Sequence, residues 1–378
     1  MEILKEKVIN MSVYKISLLE ATTLILIVTV NRLAISIPQA ILLSCGSSAI
    51  LNTIYVSLIA ILLTYIIVRL FRKFPDSDII DVSEFLGGKF LKYVVGTLFF
   101  IYIVIILSFL LRDFIEILRV LYYTDTPIVY LLSFFIVVCI IANLLGSKSI
   151  VKTNVILCII MIIGLLIAFS SVIPNLTIQR IFPILGYGSY TTFFSGLTNI
   201  LAFNGLSILY LVPPMLNDKK DLKKASMIAV SISAILIILA TSSMLLAFSF
   251  STNIEKISPL YTLLSNNEFG KYFQHPESLF VFTWILSFMS YINVACLLLV
   301  QILKKLTNVK NGKPFIFPIC IAIIVLTLLP RNMIQAREFG NYLSKYFATP
   351  ITFIVFPLIM IFANLKYKKQ KGNGKEEI

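Results

Sequence analysis

Long, unbroken apolar runs organise this chain. Stretches able to cross about 30 Å of hydrocarbon recur from end to end, at roughly 18–42, 49–71, 93–111, 128–146, 154–173, 191–213, 226–250, 279–303, 314–330 and 346–365. Their continuity predicts helices, because a backbone in lipid must satisfy its own hydrogen bonds and a barrel strand would alternate apolar with polar residues. The pattern therefore predicts an all-α integral membrane protein of ten transmembrane helices. It forms a single polytopic domain over 1–378, with 1–17 and the tail 366–378 in the cytoplasm.

The loops support that register. If the first segment is inside and the sides alternate, the inside segments hold 23 of the 32 Lys and Arg residues and the outside segments 8. Arg32, within the first span, is the remaining one. That asymmetry is the positive-inside pattern, and an error of one span would destroy it. The register places Asp76, Asp78, Asp81 and Glu84 inside and Arg112, Asp113, Glu116 and Asp125 outside, in loops or at span ends.

Composition changes the picture only by exclusion. Hydrophobic residues make up 58% and charged residues 13% of the 378, too little charge to cover a soluble fold of this size, and the mean hydropathy is +0.95. The net charge of +14 would point to nucleic acid in a soluble protein, but here it follows from topology, and no nucleic acid partner is expected. The first apolar run is too long for the core of a cleaved leader and reads as an uncleaved span. Five cysteines, Cys45, Cys139, Cys158, Cys296 and Cys320, form no CxxC pair. Four of them lie inside apolar runs and read as small buried hydrophobes, and neither a metal nor a cofactor is expected. No catalytic constellation is present either. The single histidine, His275, reads as a solvated loop residue, and no carboxylate lies near the middle of any predicted span. An enzyme is not expected.

Two spans carry polar residues in mid-run. The first reads Asn31-Arg32-Leu33-Ala34-Ile35-Ser36-Ile37-Pro38. A charge at that depth is costly unless it faces protein or water, and Pro38 removes a backbone donor. Either the helix is interrupted and lines a cavity, or it is a proline-kinked helix whose Arg32 reaches the interface or pairs structurally. The sixth span reads Phe203-Asn204-Gly205-Leu206-Ser207 before Pro213-Pro214, which fits unwound backbone or small residues for close packing. Spans one and six occupy corresponding places in two five-helix halves, the pattern that marks a midplane site in inverted-repeat transporters of the LeuT/APC type. Asn31, Arg32, Ala34, Ser36, Asn204, Gly205 and Ser207 are the candidate ligand-binding residues. Tyr102 and Ser108 on the third span and Tyr291 on the eighth are added as polar points. Gly205→Leu is expected to block such a site while leaving the helices intact.

The chain also resembles, over essentially its whole length, the B subunits of spore-germination nutrient receptors, the GerAB-type spore permeases of the amino acid–polyamine–organocation transporter superfamily. The residues that carry the resemblance are Phe74-Pro75 with the acidic stretch and Gly87-Gly88-Lys89; Leu111-Arg112-Asp113-Phe114-Ile115-Glu116 and Thr126-Pro127; Phe203-Asn204-Gly205 with Pro214; Glu277-Ser278 leading to Trp284; Leu329-Pro330-Arg331-Asn332; and Pro357-Leu358 before a Lys-rich end. The resemblance implies a germinant-sensing subunit of the spore inner membrane. It would bind a small nutrient, an amino acid first of all, between spans one, three, six and eight. The implied partners are an A-type membrane subunit and a C-type lipoprotein, besides the lipid bilayer. Two departures fall at ligand-facing places. Asn31-Arg32-Leu33-Ala34 stands where members often carry glycine, and Ser207 stands where many carry glutamate. Two rival expectations stay open: a working secondary transporter of amino acids or related solutes, and a scaffold subunit whose pocket no longer binds.

Overall fold

The computed structural model describes residues 14–31, 37–247, 258–265 and 276–373. It is all-helical. Among the described residues the only strand-like pairing is an isolated parallel bridge between Ile16 and Leu216. Among the described residues, eight helical stretches are long and apolar enough to cross a membrane: Ile37–Phe71, Ile79–Tyr122, Ile128–Leu145, Ser147–Asn175, Ser189–Tyr210, Asp221–Ala247, Glu277–Thr307 and Met333–Gln370. Two shorter apolar helices, Leu18–Val30 and Lys313–Leu328, accompany them. Among the described residues, eight stretches reach spanning length, and with the two shorter ones the apolar helical stretches fall in order on the ten predicted spans. The predicted first span is divided between two helices, and the ninth is short.

Helix α1, Leu18–Val30, opens with a reciprocal cap. The Ser17 hydroxyl accepts from the Glu20 amide and the Glu20 carboxylate accepts from the Ser17 amide at 2.8 Å, satisfying two end donors. It closes at Asn31 as C-cap, and α2 spans Ile37–Cys45. Arg32, Ala34 and Ser36, with the rest of 32–36, lie outside the described residues, as does His275. Helix α3, Ala49–Phe71, follows directly.

Helix α4 runs Ile79–Tyr122, in two pieces meeting at Gly87-Gly88. The residue at 88 has φ +68°, left-handed backbone that glycine adopts without a Cβ clash. The third span continues past its predicted end at 111 to Tyr122. Arg112, Asp113 and Glu116 are accordingly not loop residues. They sit in the helix at 4%, 5% and 2% exposure. Sequence hydropathy misses this because a run of charges ends an apolar window even when every charge has a partner.

Helices α5, Ile128–Leu145, and α6, Ser147–Ser170, come next, then a short α7, Ser189–Phe193. The sixth span proper is a 3₁₀ helix over Ser195–Tyr210. Such helices seldom exceed a turn or so, and long ones mark strain or hinges. At about 2.0 Å per residue these 16 residues cover roughly 32 Å, the thickness of the hydrocarbon, where an α-helix would cover about 24 Å. The span is thus continuously wound, not unwound as one of the two sequence readings had it. Helix α8 spans Asp221–Ala247, α9 Pro259–Ser265, α10 Pro276–Thr307 and α11 Ile316–Leu328.

The last span begins earlier than its apolar run. Asn332 caps α12, Met333–Leu343, by accepting the Gln335 amide at 2.9 Å. Two π segments, Ser344–Ala348 and Ile351–Val355, lead into α13, Phe356–Asn373. Pro350 between them has no N–H to give, and the wider π turns leave carbonyl lone pairs available to neighbours.

The basic segments gather at one end of the bundle. Lys15 donates to the carbonyls of Pro214 and Leu216, and Lys366 to those of Phe85 and Leu86. Lys305 bridges Asp78, at 2.6 Å, and Asp81. Asp78 and Asp81 also form the cap of α4, so the acidic stretch is both a helix start and a latch to α10. Burial first, then the neighbouring Asp81 charge, pushes the Asp78 carboxyl up to about 7 against the pull of Lys305.

Candidate functional site

The cavity of interest lies where α1, α4, the 3₁₀ span and α10 meet. It is narrow, about 40 Å³, room for roughly three ordered waters. Its walls are mostly apolar, with Val28, Phe99, Ile103, Ile106, Ile208, Ala295 and Leu298, and its polar groups come from Tyr102, Asn204, Ser207 and Tyr291, with Gly205 between. Five of the ten residues singled out from sequence therefore share one wall system, and none of the lining residues is charged.

Tyr102, Asn204 and Ser207 are held in place by hydrogen bonds. The Tyr102 hydroxyl lies 3.1 Å from both the Asn204 carbonyl and the Ser207 hydroxyl and 3.4 Å from the Thr352 hydroxyl. Asn204 donates from its amide to the Ser344 carbonyl at 3.2 Å and accepts from the Thr349 hydroxyl at 3.0 Å. Tyr210, fully buried, donates to the Thr352 carbonyl at 2.8 Å. The carbonyls used here belong to the two π segments, so irregularity in the last span supplies the acceptors that steady the sixth. Ser344, Thr349 and Thr352 are thus site-supporting residues that sequence reasoning missed. Pro350 beside Thr349 was the available signal.

The Gly205 backbone presses on α1. A Cβ placed there would lie 2.5 Å from the Thr29 Cα and 2.5 Å from the Val28 carbonyl oxygen. Of the two sequence readings for the sixth span, close packing is the one that Gly205 follows. Any side chain would force the adjoining backbones away from each other, so Gly205→Leu cannot leave the helices intact as the sequence led us to expect.

The remaining candidates fall elsewhere. Ser108 donates to the Val104 carbonyl of its own helix at 2.8 Å, and its carbonyl accepts from Thr327 at 3.3 Å. It joins α4 to α11 and does not line the cavity. Asn31 lines a separate small cavity with Met161, Thr283, Trp284 and Ser287. Its amide donates to the Ile27 and Ser287 carbonyls, both at 3.1 Å, while its Oδ1 and the Trp284 Nε1 are buried without a partner among the described residues.

Two further polar systems were invisible in the sequence. Toward the end opposite the basic segments, Asn52, wholly buried, donates to the Thr192 carbonyl and accepts from Asn199, both at 2.7 Å, and the Thr192 hydroxyl reaches Ser48 at 2.8 Å. This network ties α3 to α7 and the 3₁₀ span. On α4, the Arg112 guanidinium holds Glu116 at 2.8 Å and reaches the Thr327 carbonyl, Arg119 adds a contact to Glu116 at 3.4 Å, and Arg337 from α12 holds Asp113 at 3.0 Å. As to metals, Cys139, Cys296 and Cys320 bring their sulfurs within 4.8 Å of one another from α5, α10 and α11. Such a set suits a soft ion, although the spacing of the cysteines along the chain gives no hint of it.

Removing the Tyr102 hydroxyl tests the cavity wall directly. Tyr102→Phe is expected to cost about 1 kcal/mol, the usual net worth of a buried hydrogen bond, measured by unfolding in detergent. No loss would mean that the hydroxyl does not brace the 3₁₀ span.

Three comparisons bear on this arrangement. The family model described as "Spore germination protein" matches residues 15–336. Spore germination protein KB of Bacillus subtilis (strain 168) is 23% identical over 325 residues, covering 84% of this chain and 87% of that protein. Among solved structures, a Na⁺-coupled sialic acid symporter in a substrate-bound outward-open state aligns with a TM-score of 0.60 at 14% identity, over 93% of this chain and 76% of that one. At that identity the likeness is one of fold alone, and the fold is that of the LeuT/APC-like transporters.

Proposed function

Because the chain belongs to the spore germination protein family, a multi-pass membrane protein with a transporter fold, we propose that it is the membrane subunit of a spore germinant receptor and binds a small nutrient in the cavity between α1, α4, the 3₁₀ span and α10. The observation that carries this reading is the cavity itself. It is a mostly apolar slot with Tyr102, Asn204, Ser207 and Tyr291 converging on it, the composition expected of a small-molecule site; at about 40 Å³ it is closed down to water size, so in this reading the nutrient enters as the contact between α1 and the 3₁₀ span opens. With no charge on the lining, the ligand is a small solute of low net charge, an amino acid with an apolar side chain being the first to try. Asn31 faces the other small cavity and is not part of this site; of the remaining first-span candidates from the sequence, Arg32, Ala34 and Ser36, Arg32 is the one that would meet a carboxylate.

The mechanism is a population shift. A ligand that binds one arrangement of the α1 and 3₁₀ contact better than another biases the protein toward it by its differential affinity. Partners of the A and C types would read that shift within a receptor complex in the inner spore membrane.

A second reading, a working secondary transporter, is favoured by the likeness to the symporter. Reconstituted protein separates the two. Saturable binding of a radiolabelled amino acid in nanodiscs, with no concentrative uptake into proteoliposomes, is the expected result. Uptake against a gradient would replace the receptor by the transporter, and no binding across a nutrient panel would leave a scaffold.

A further inference from the structure

A second cleft, much larger than the first, opens at the basic end of the bundle. It measures about 420 Å³ and lies between the C-terminus of α3 and the start of α8. Five cations line it: Arg69, Arg72, Lys219, Lys220 and Lys223. Lys219 is paired with Asp76 at 2.5 Å, and Lys223 sits 5.3 Å from the centre of the Tyr65 ring. Among the described residues, Arg69, Arg72, Lys220 and Lys223 have no ion pair. The nearby Asp218 spends its carboxylate on the Lys220 backbone amide at 2.9 Å. Topology alone explains why these residues are basic, but not why four unpaired cations converge from two helices on one concavity, where they repel one another.

Beneath the cations the walls are apolar, formed by Val68, Phe71, Pro75 and Leu222. The cleft also continues into a lipid-facing stripe. Leu58, Leu62 and Tyr65 are 62%, 58% and 40% exposed and share with Arg69 the i, i+4, i+7, i+11 face of α3. The cleft is therefore charged at its mouth, apolar at its floor, and open along a surface made for hydrocarbon.

We propose that this cleft binds the phosphate group of an anionic phospholipid, with Arg69, Arg72, Lys220 and Lys223 around the headgroup and an acyl chain along Leu62 and Leu58. Charge complementarity selects a phosphate ester, and the apolar floor and stripe select a lipid over free phosphate. The bound lipid bridges α3 and α8, two helices that also pack on the 3₁₀ span and on α1 respectively.

The test uses the full chain in nanodiscs of phosphatidylcholine with and without phosphatidylglycerol. Native mass spectrometry should show one phosphatidylglycerol retained by the wild type and by the control Lys148→Gln/Lys152→Gln/Lys313→Gln, whose positions lie outside the cleft. Retention should weaken about 100-fold in Arg72→Gln/Lys220→Gln/Lys223→Gln, three near-surface cations being removed. Phosphatidylglycerol should also raise the unfolding temperature of the wild type, and inorganic phosphate added to phosphatidylcholine discs should not. Equal retention by the cleft variant, equal loss in the control, or equal stabilisation by inorganic phosphate would each overturn the proposal. Should the triple variant fail to fold, Lys220→Gln alone, in which only an exposed side chain changes, must still lower retention severalfold.

Discussion

Gly205→Ala is expected to unfold or misassemble the contact between the first and sixth spans. A single added methyl would have to occupy the position of α1 backbone, 2.5 Å from the Thr29 Cα. Overpacking a well-filled interior costs typically 1–3 kcal/mol, and here the obstructing atoms are main chain, unable to rotate away, so a loss of about 3 kcal/mol or more is expected. Gly340→Ala is the matched control. Its new Cβ would find only the Phe109 Cβ at 3.6 Å, an ordinary contact, and its helix should gain slightly from the better propensity of alanine. Thermal unfolding in detergent reads both. A Gly205→Ala protein as stable as wild type would mean that the two backbones do not meet.

The second large effect concerns the charges within α4. Glu116→Gln keeps the shape of the side chain but leaves Arg112, 4% exposed, facing an uncharged amide with, among the described residues, only the Thr327 carbonyl as further partner. Breaking a buried pair in this way costs roughly 3–5 kcal/mol because the remaining charge is uncompensated. Removing both charges is far milder, so Arg112→Leu/Glu116→Leu should recover at least half of the loss. Unfolding midpoints of the two variants decide the matter. A single variant within about 1 kcal/mol of wild type would show that water reaches the pair.

These residues also show where reading the sequence stops. Continuous apolar runs identify membrane helices because lipid leaves the backbone no other choice, and the polar residues in mid-span point to the cavity at the sixth span because polar groups at depth must face something other than lipid. Tyr102, Asn204, Gly205, Ser207 and Tyr291 were legible on that ground. Ser108 was not distinguishable from them, since a serine that bonds back to its own helix looks the same in the sequence as one that faces a ligand. Arg112, Asp113 and Glu116 were placed in loops or at span ends, and the partner of Asp113, Arg337, lies 224 positions away. A single chain shows charges but not their partners. The surroundings of the long 3₁₀ span were hidden for a related reason: its Asn204 and Tyr210 donate to carbonyls of a distant span.

That winding has a mechanical consequence. The 3₁₀ and α forms differ by about 0.5 Å of rise per residue, so rewinding all 16 residues as α-helix would draw the ends of the segment about 8 Å closer. A single turn converted would still give a stroke of roughly 2 Å. The segment leads, through Pro213–Met215, to the Met215 carbonyl and the Asn217 amide, which clasp Ile16 at 2.8 and 3.0 Å. A change of pitch beside Asn204 would therefore pull on the root of α1 at the far end of the bundle, turning a small change in the cavity wall into a displacement at the basic face.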